Sequence, residues 1–263
     1  MSRISDFFKN RSRPAFIAYI VAGDPDEETS VALARQLIEN GADILELGLA
    51  FSDPVADGPT IQRAGGRALA AGATPDQLFA IVRKIRAFSQ VPIVIMTYYN
   101  PVYRRGVSRF YDEGRSAGAD GILVVDLPHE EAGEAIAVAK RTGLDQVFLV
   151  APTTSESRIR EIAQVGTGYL YLVSLLGVTG ARQNVSQDVP ALIAKVRKHS
   201  SLPLCIGFGI SRPEHAKAVA NAGADGVIIG SAIVDIIEKN LAGREAMLRA
   251  AGEFARHIAG ALE

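Results

Sequence analysis

Eight short apolar runs alternating with helical patterns, a Gly-Ala-Asp triplet recurring between helix and strand, and an unbroken composition predict one α/β domain folded as a (β/α)8 (TIM) barrel. The runs are rich in Val, Ile and Leu with little polar alternation. That is the pattern of strands covered on both faces, as in a parallel sheet. Strict alternation with helices makes each strand and the helix after it one unit. The 263 residues suit eight such units, and no linker or low-complexity segment divides residues 1–263. A doubly wound sheet is the alternative.

In chain order, SRISDFFKN (2–10) is expected to form an extra N-terminal helix closing the bottom of the barrel. The first strand, 15–22 (AFIAYIVA), leads to a helix at 27–40. The second, 43–49 (DILELGL), is followed by two helices, one near 60–71 and an extra one at 75–88. Strands at 92–98 (PIVIMTY) and 121–127 (GILVVDL) precede helices at 107–117 and 131–142. Strands at 146–151 (QVFLVA) and 168–174 (GYLYLVS) precede helices at 156–164 and 189–199. The last two strands, 203–207 (PLCIG) and 226–230 (GVIIG), flank a helix at 213–222, and a closing helix is read at 238–259. Gly-Ala-Asp stands at 41–43, 118–120 and 223–225, where the glycine suits the left-handed residue that ends a helix. The intervals of 77 and 105 residues hold two and four units if the extra helix lengthens the first pair.

Composition removes several classes of function. The formal net charge is −1 and Lys and Arg are scattered, so nucleic acid has no electrostatic footprint. The N-terminal MSRISDFFKNRSRP lacks the apolar core of a signal peptide, and no apolar run nears the ~20 residues that span a bilayer. The one cysteine, Cys205, cannot form an internal disulfide and is read as a buried strand thiol, which suits the cytoplasm.

Barrel enzymes place their chemistry at the C-terminal ends of strands and on the loops that follow. Glu46 meets that rule within LELGLAFSDPVADGPTIQ (45–62). Leu45, Leu47 and Leu49 share one face of the strand and should pack on helices, which turns Glu46 into the barrel mouth. A buried carboxyl either finds a partner or gains protons more readily, and the second outcome suits proton transfer near neutral pH. Asp57 lies on the next loop, where spacing alone leaves helix capping, a turn or chemistry open. Ser52 and Asp53 are read as loop stabilisers.

Two glycine-rich strand exits suggest a bound phosphate. Gly207-Phe208-Gly209-Ile210-Ser211 follows the seventh strand and Gly230-Ser231-Ala232-Ile233 the eighth. Glycines admit close backbone approach, and helix N-termini favour anions. The stretch LLGVTGARQNVSQDV (175–189) is long for a loop after a strand and reads as a lid, with Gly177 and Gly180 as hinges; Arg182 is read as a solvated arginine, with reach to the anion as the alternative. None of the lysines ends a strand, so Schiff-base aldol chemistry lacks its amine. The four histidines show no close pairing with ligand spacing, which argues against a metal. Acid–base catalysis on a phosphorylated substrate remains.

ELGLAFSDPVADGPTIQ, GFGIS, GSAIV, YLVSLLGVTG and the early AGDP (22–25) together resemble the tryptophan synthase alpha chain family over nearly the whole chain. The first motif is highly specific, whereas the glycine motifs occur in many phosphate-binding barrels. The resemblance implies cleavage of indole-3-glycerol phosphate to indole and glyceraldehyde 3-phosphate. It implies Glu46 as acid and base, Asp57 as the holder of the indole N–H, and Tyr171 as an active-site tyrosine. Gly180, Gly209, Gly230 and Ser231 match the phosphate cradle. Tyr19, Tyr98 and Phe208 fall where the family lines its indole pocket, and Thr179 falls at the lid threonine. No cofactor is implied for this chain. The implied partner is a β subunit carrying pyridoxal phosphate (PLP) in an α2β2 heterotetramer.

Four positions depart from the family pattern: Val21, Ala50, Leu175 and Leu176. Some lie on loops that in the family communicate with the β subunit, so they bear on coupling more than on the reaction. A free-standing indole-3-glycerol-phosphate lyase, another phosphosugar barrel and a non-catalytic activating subunit are the alternative readings. The isolated chain is expected to be monomeric.

Overall fold

The computed structural model describes residues 2–173, 188–207 and 209–263. Eight parallel strands close on themselves in sequence order: β1 Ala15–Val21, β2 Ile44–Gly48, β3 Ile93–Thr97, β4 Gly121–Val124, β5 Asp145–Val150, β6 Leu170–Val173, β7 Leu204–Gly207 and β8 Gly226–Ile229. The last strand pairs with the first, Ala18 opposite Ile229, so no sheet edge is left among them. The expected barrel is the observed one.

Side-chain alternation sorts each strand into two layers. Phe16, Ala18, Ile20, Leu45 and Leu47 face out and pack with the helices in the larger buried cluster. Ile17, Ile44, Val94, Leu123, Val147, Cys205 and Ile228 fill the interior. Helix α1 (Arg3–Asn10) closes the bottom as expected, with Ile4 fully buried in that interior cluster. Ser2 caps the helix by accepting from the Ser5 amide at 3.1 Å.

The remaining helices follow their strands: α2 Glu27–Glu39, α3 Pro59–Ala70, α4 Pro75–Arg86, α5 Tyr99–Arg105, α6 Val107–Ala117, α7 Gly133–Thr142, α8 Glu156–Val165, α9 Asp188–Arg197, α10 Pro213–Asn221, α11 Ser231–Lys239 and α12 Arg244–Leu262. Two differ from expectation. Helix α5 is not legible in Tyr-Tyr-Asn-Pro, and the free Tyr99 amide is satisfied from another loop by Asp126 at 2.6 Å. The extra length between the first two Gly-Ala-Asp triplets therefore comes from α4 and α5 together. The closing helix read at 238–259 is two helices, because Asn240 ends α11 and Gly243 precedes α12.

The aspartate of the triplet has a role that the glycine-based reading did not anticipate. The amides of Asp43, Asp120 and Asp225 each donate to the neighbouring strand, to Phe16, Ile93 and Leu204 carbonyls at 2.8 Å. Their carboxylates accept the amides of those same three residues at 2.8, 2.9 and 2.8 Å. Each aspartate is thus a two-bond clamp joining adjacent strands at the bottom of the barrel. Arginines complete the clamps: Arg13 on Asp43, Arg3 and Arg86 on Asp120, Arg11 and Arg197 on Asp225. The preceding Gly41, Gly118 and Gly223 have φ of 106°, 106° and 94°, which a side chain would strain.

Helix α3, which follows the Asp57 loop, contains the adjacent pair Gly65-Gly66. A Cβ on exposed Gly66 would meet no atom within 4 Å. Gly66→Ala is therefore expected to stabilise the protein by about 0.5–1 kcal/mol through the lower entropy of the unfolded chain. Chemical denaturation should show a higher midpoint at unchanged slope; a lower midpoint would mean that Gly66 has a conformational role.

Candidate active site

Glu46 sits at the centre of β2, fully buried, on the inward face as the alternation predicts. Its register neighbours are Tyr19 on β1 and Val94 on β3, neither of which supplies a counter-charge. The Tyr169 hydroxyl donates to Oε1, while Oε2 has no hydrogen-bond partner. Burial pushes the Glu46 carboxyl up to about 7, against the opposing effect of the Tyr169 bond. A carboxyl in this state exchanges a proton near neutral pH.

Tyr169 was not singled out from the sequence. It lies one residue before β6, on the same alternation as Tyr171, and the spacing of two was the available signal. Tyr171 also points inward and is buried, one layer nearer the mouth, and its hydroxyl comes so close to Gly207 that a Cβ there would lie 2.0 Å away. Glycine on β7 is thus required by the tyrosine on β6. Of the two tyrosines, it is Tyr169 that holds Glu46.

Asp57 is half-buried in the loop between β2 and α3. Its carboxyl does not cap the helix, since Gly58 is the N-cap and makes no side-chain cap bond. The loop is instead fastened by Tyr98 at the end of β3. Its hydroxyl accepts the Ala56 amide at 3.0 Å and reaches the Asp57 carboxyl, and its ring packs 5.1 Å from Phe51. Burial raises Asp57 to about 6, opposed by the Tyr98 bond. Tyr98, expected as a pocket wall, is the anchor of the acid-bearing loop. Ser52 and Asp53 are exposed and bond each other at 2.5 Å, in keeping with loop roles.

Both acids lie near the same two tyrosines. The charges of Glu46 and Asp57 each raise the Tyr19 and Tyr171 phenols, on top of the larger effect of burial. Tyr19 is buried at the mouth between Gly230, the residue before α11, and Gly48 at the end of β2. Gly230 makes no side-chain cap bond, and Ser231 opens α11, so the first amides of that helix have no side-chain acceptor at the cap. Gly209 takes φ of 75° in the loop after β7. Thr179, Gly180 and Phe208, with Gly177, Arg182, Leu175 and Leu176, lie outside the described residues.

A network absent from the sequence reading fixes these loops behind the mouth. Arg67 on α3 binds Asp24, in the loop after β1, through two bonds of 2.8 and 2.9 Å, and also reaches Glu238 on α11 at 3.2 Å. Arg63, one turn earlier, holds Glu238 through two bonds of 2.7 Å. Asp24 is fully buried, and burial raises its carboxyl while Arg67 opposes the rise.

A closed parallel barrel with a buried carboxyl that exchanges a proton near neutral pH in the middle of one strand, and a second carboxyl on the loop that follows, has the arrangement of a (β/α)8 barrel enzyme. The family model described as tryptophan synthase alpha chain matches residues 6–263. The tryptophan synthase alpha chain of Methanoregula boonei is 59% identical over 94% of this chain and 93% of its own length. That of Methanothermobacter thermautotrophicus is 48% identical, over 95% and 93%. The solved structure of tryptophan synthase subunit alpha from Legionella pneumophila superposes with a TM-score of 0.92 at 39% identity, covering 100% of this chain and 98% of that one. A chain of the tryptophan synthase a2b2 complex from Pyrococcus furiosus gives 0.89 at 41% identity, over 94% and 99%. This chain belongs to the tryptophan synthase alpha chain family, and it is a carbon–carbon lyase. Among the described residues no helix is long and apolar enough to cross a membrane.

Proposed function

We propose that Glu46 and Asp57 together cleave indole-3-glycerol phosphate to indole and D-glyceraldehyde 3-phosphate. The observation that carries this assignment is a fully buried Glu46, near pH 7 in its proton affinity, with one carboxyl oxygen unpartnered. Indole carbon is a poor leaving group until C3 is protonated. Glu46 gives that proton, and the positive charge that spreads to N1 is met by the Asp57 carboxylate. Glu46, now ionised, takes the proton from the hydroxyl on the adjoining linker carbon. The oxygen electrons form the aldehyde, the carbon–carbon bond breaks, and its electrons restore the aromatic ring. No net proton is consumed.

The remaining assignments support a substrate stretched across the mouth. Gly209, Gly230 and Ser231, with Gly180, receive the phosphate through backbone amides and the N-terminal end of α11. Tyr19 and Tyr98 border the ring and linker, the same role is assigned by resemblance to Phe208 and Thr179, and Tyr171 stands over Gly207. We assign PLP chemistry to a partner β subunit in an α2β2 assembly that receives the indole. We also place the reaction in the cytoplasm, which suits the unpaired thiol of Cys205.

Incubation with indole-3-glycerol phosphate, with and without a β subunit, tests the assignment through indole release. Asp57 must be ionised and Glu46 protonated, so kcat/KM should rise with pH through about 6 and fall through about 7. The substrate phosphate titrates near the lower limb, at about 6. Asp57→Asn should therefore lower the maximum and remove only the part of that limb which belongs to the protein. A profile level between pH 5 and pH 9, at about wild-type rate in Asp57→Asn, would remove the acid pair.

A further inference from the structure

Tyr19 carries a hydroxyl that no described group uses. The side chain is 8% exposed, and its oxygen makes no hydrogen bond with a described residue and is not sealed in as Glu46 Oε2 is. Three other buried tyrosines differ: Tyr169 donates to Glu46, Tyr111 to Gln146 at 2.6 Å, and Tyr98 accepts from Ala56, whereas Tyr171, against Gly207, makes no side-chain hydrogen bond with a described residue either. A hydroxyl that opens to the cleft and has no partner in the protein is free to donate to a ligand there.

The position of the ring narrows the ligand group. One edge lies against Gly230, where a Cβ would come within 2.9 Å of Cδ1. The far tip lies over Gly48, where a Cβ would come within 2.2 Å of the hydroxyl. The ring therefore spans the mouth from the glycine exit of β8 to the end of β2, two residues past Glu46 on the same face. Burial and the nearby charges of Asp57 and Glu46 keep the phenol protonated, and hence a donor.

On the functional reading above, Asp57 takes the ring N–H and the glycine exits take the phosphate. The polar atoms left over are the hydroxyls of the three-carbon linker, which must cross the interval that Tyr19 spans. We infer that Tyr19 donates a hydrogen bond to a linker hydroxyl and so selects a hydroxylated linker over a plain alkyl one.

Tyr19→Phe keeps the ring against both glycines and removes one oxygen. Its kcat/KM for indole-3-glycerol phosphate should fall about tenfold, the effect of one lost hydrogen bond. Its inhibition constant for 3-(indol-3-yl)propyl phosphate, which has the same ring and phosphate but no linker hydroxyl, should stay within about twofold of wild type. Unchanged kcat/KM overturns the inference. So does equal weakening toward both compounds, which would assign the effect to ring shape. A wild-type chain that fails to cleave the substrate overturns the underlying functional reading, and is distinguished by failing before any substitution is made.

Discussion

Glu46→Gln should lower indole release about a thousandfold, within the range for loss of a general acid, while making the protein more stable at alkaline pH. The two effects have one origin. Glu46 titrates near 7 in the fold, above its ordinary 4.5, because burial penalises the ionised form. Below the ordinary value the carboxyl is neutral both folded and unfolded, so it carries no penalty. Between the two values the unfolded chain ionises and the folded one resists, so stability falls as pH rises. Above about 7 the full penalty applies, about 3 kcal/mol at 1.36 kcal/mol per unit. Gln keeps an oxygen for the Tyr169 hydroxyl but leaves its amide N–H groups without an acceptor, which offsets part of the gain. The net expectation is a gain of about 1–2 kcal/mol at pH 8 that turns into a loss of about 1–2 kcal/mol near pH 4.5, where only the unsatisfied amide remains. Urea unfolding of both proteins at the two pH values checks it. A variant with wild-type turnover, or one no more stable at pH 8 than at pH 4.5, would show that Glu46 is not the strained acid of this site.

What the sequence disclosed and what it hid follow a physical rule. Glu46 was legible because strand alternation alone turns it inward among leucines that face out. The eight strands were legible because strands covered on both faces read as continuous apolar runs. Asp57 was not separable from a capping residue by spacing, and only the family resemblance raised it. In the fold, Gly58 takes the cap and frees the carboxyl. Features resting on distant partners stayed hidden. The amide that opens α5 is satisfied by Asp126, and Arg67 meets Asp24 and Glu238 from 43 and 171 residues away. Tyr169 lies between these cases, since alternation back from Tyr171 placed it inward but only the closed barrel brings it to Glu46.

The same closure explains why the two ends of the barrel carry different chemistry. At the mouth, Tyr19 on β1 lies over Gly48 of β2 and Tyr171 on β6 over Gly207 of β7, and one oxygen of Glu46 is left without a partner. At the bottom, the carboxylates of Asp43, Asp120 and Asp225 are each engaged with a backbone amide and with arginine. Arg67 and Arg63 tie α3 to α11, so the helix behind the acid-bearing loop and the helix behind the glycine exit are held at a fixed spacing. A substrate that needs one end at each loop depends on that spacing.

Asp120→Ala should be the most damaging change at the bottom, costing about 3–5 kcal/mol. Asp120 is 1% exposed and accepts from Arg3 and Arg86 at 2.8 Å each and from the Ile93 amide at 2.9 Å. Its removal leaves a largely buried Arg86 without a counter-charge, though carbonyls of Ser89, Val91 and Gly118 still engage the guanidinium. It also frees α1, the plug of the barrel, from one of its anchors. Asp120→Asn retains an acceptor for the Ile93 amide and should lose about half as much, because the charge is gone but the strand clamp survives. The exposed pair Arg35–Glu39, 3.8 Å apart, is the control: Glu39→Ala should change stability by less than about 0.5 kcal/mol. Turnover per folded molecule should hold in Asp120→Ala, since the clamp lies at the end of the barrel opposite the acids. Urea unfolding with activity measured on the folded fraction separates the two quantities. A loss below about 1 kcal/mol would show that strand pairing and arginine–carbonyl bonds hold the base without the aspartate.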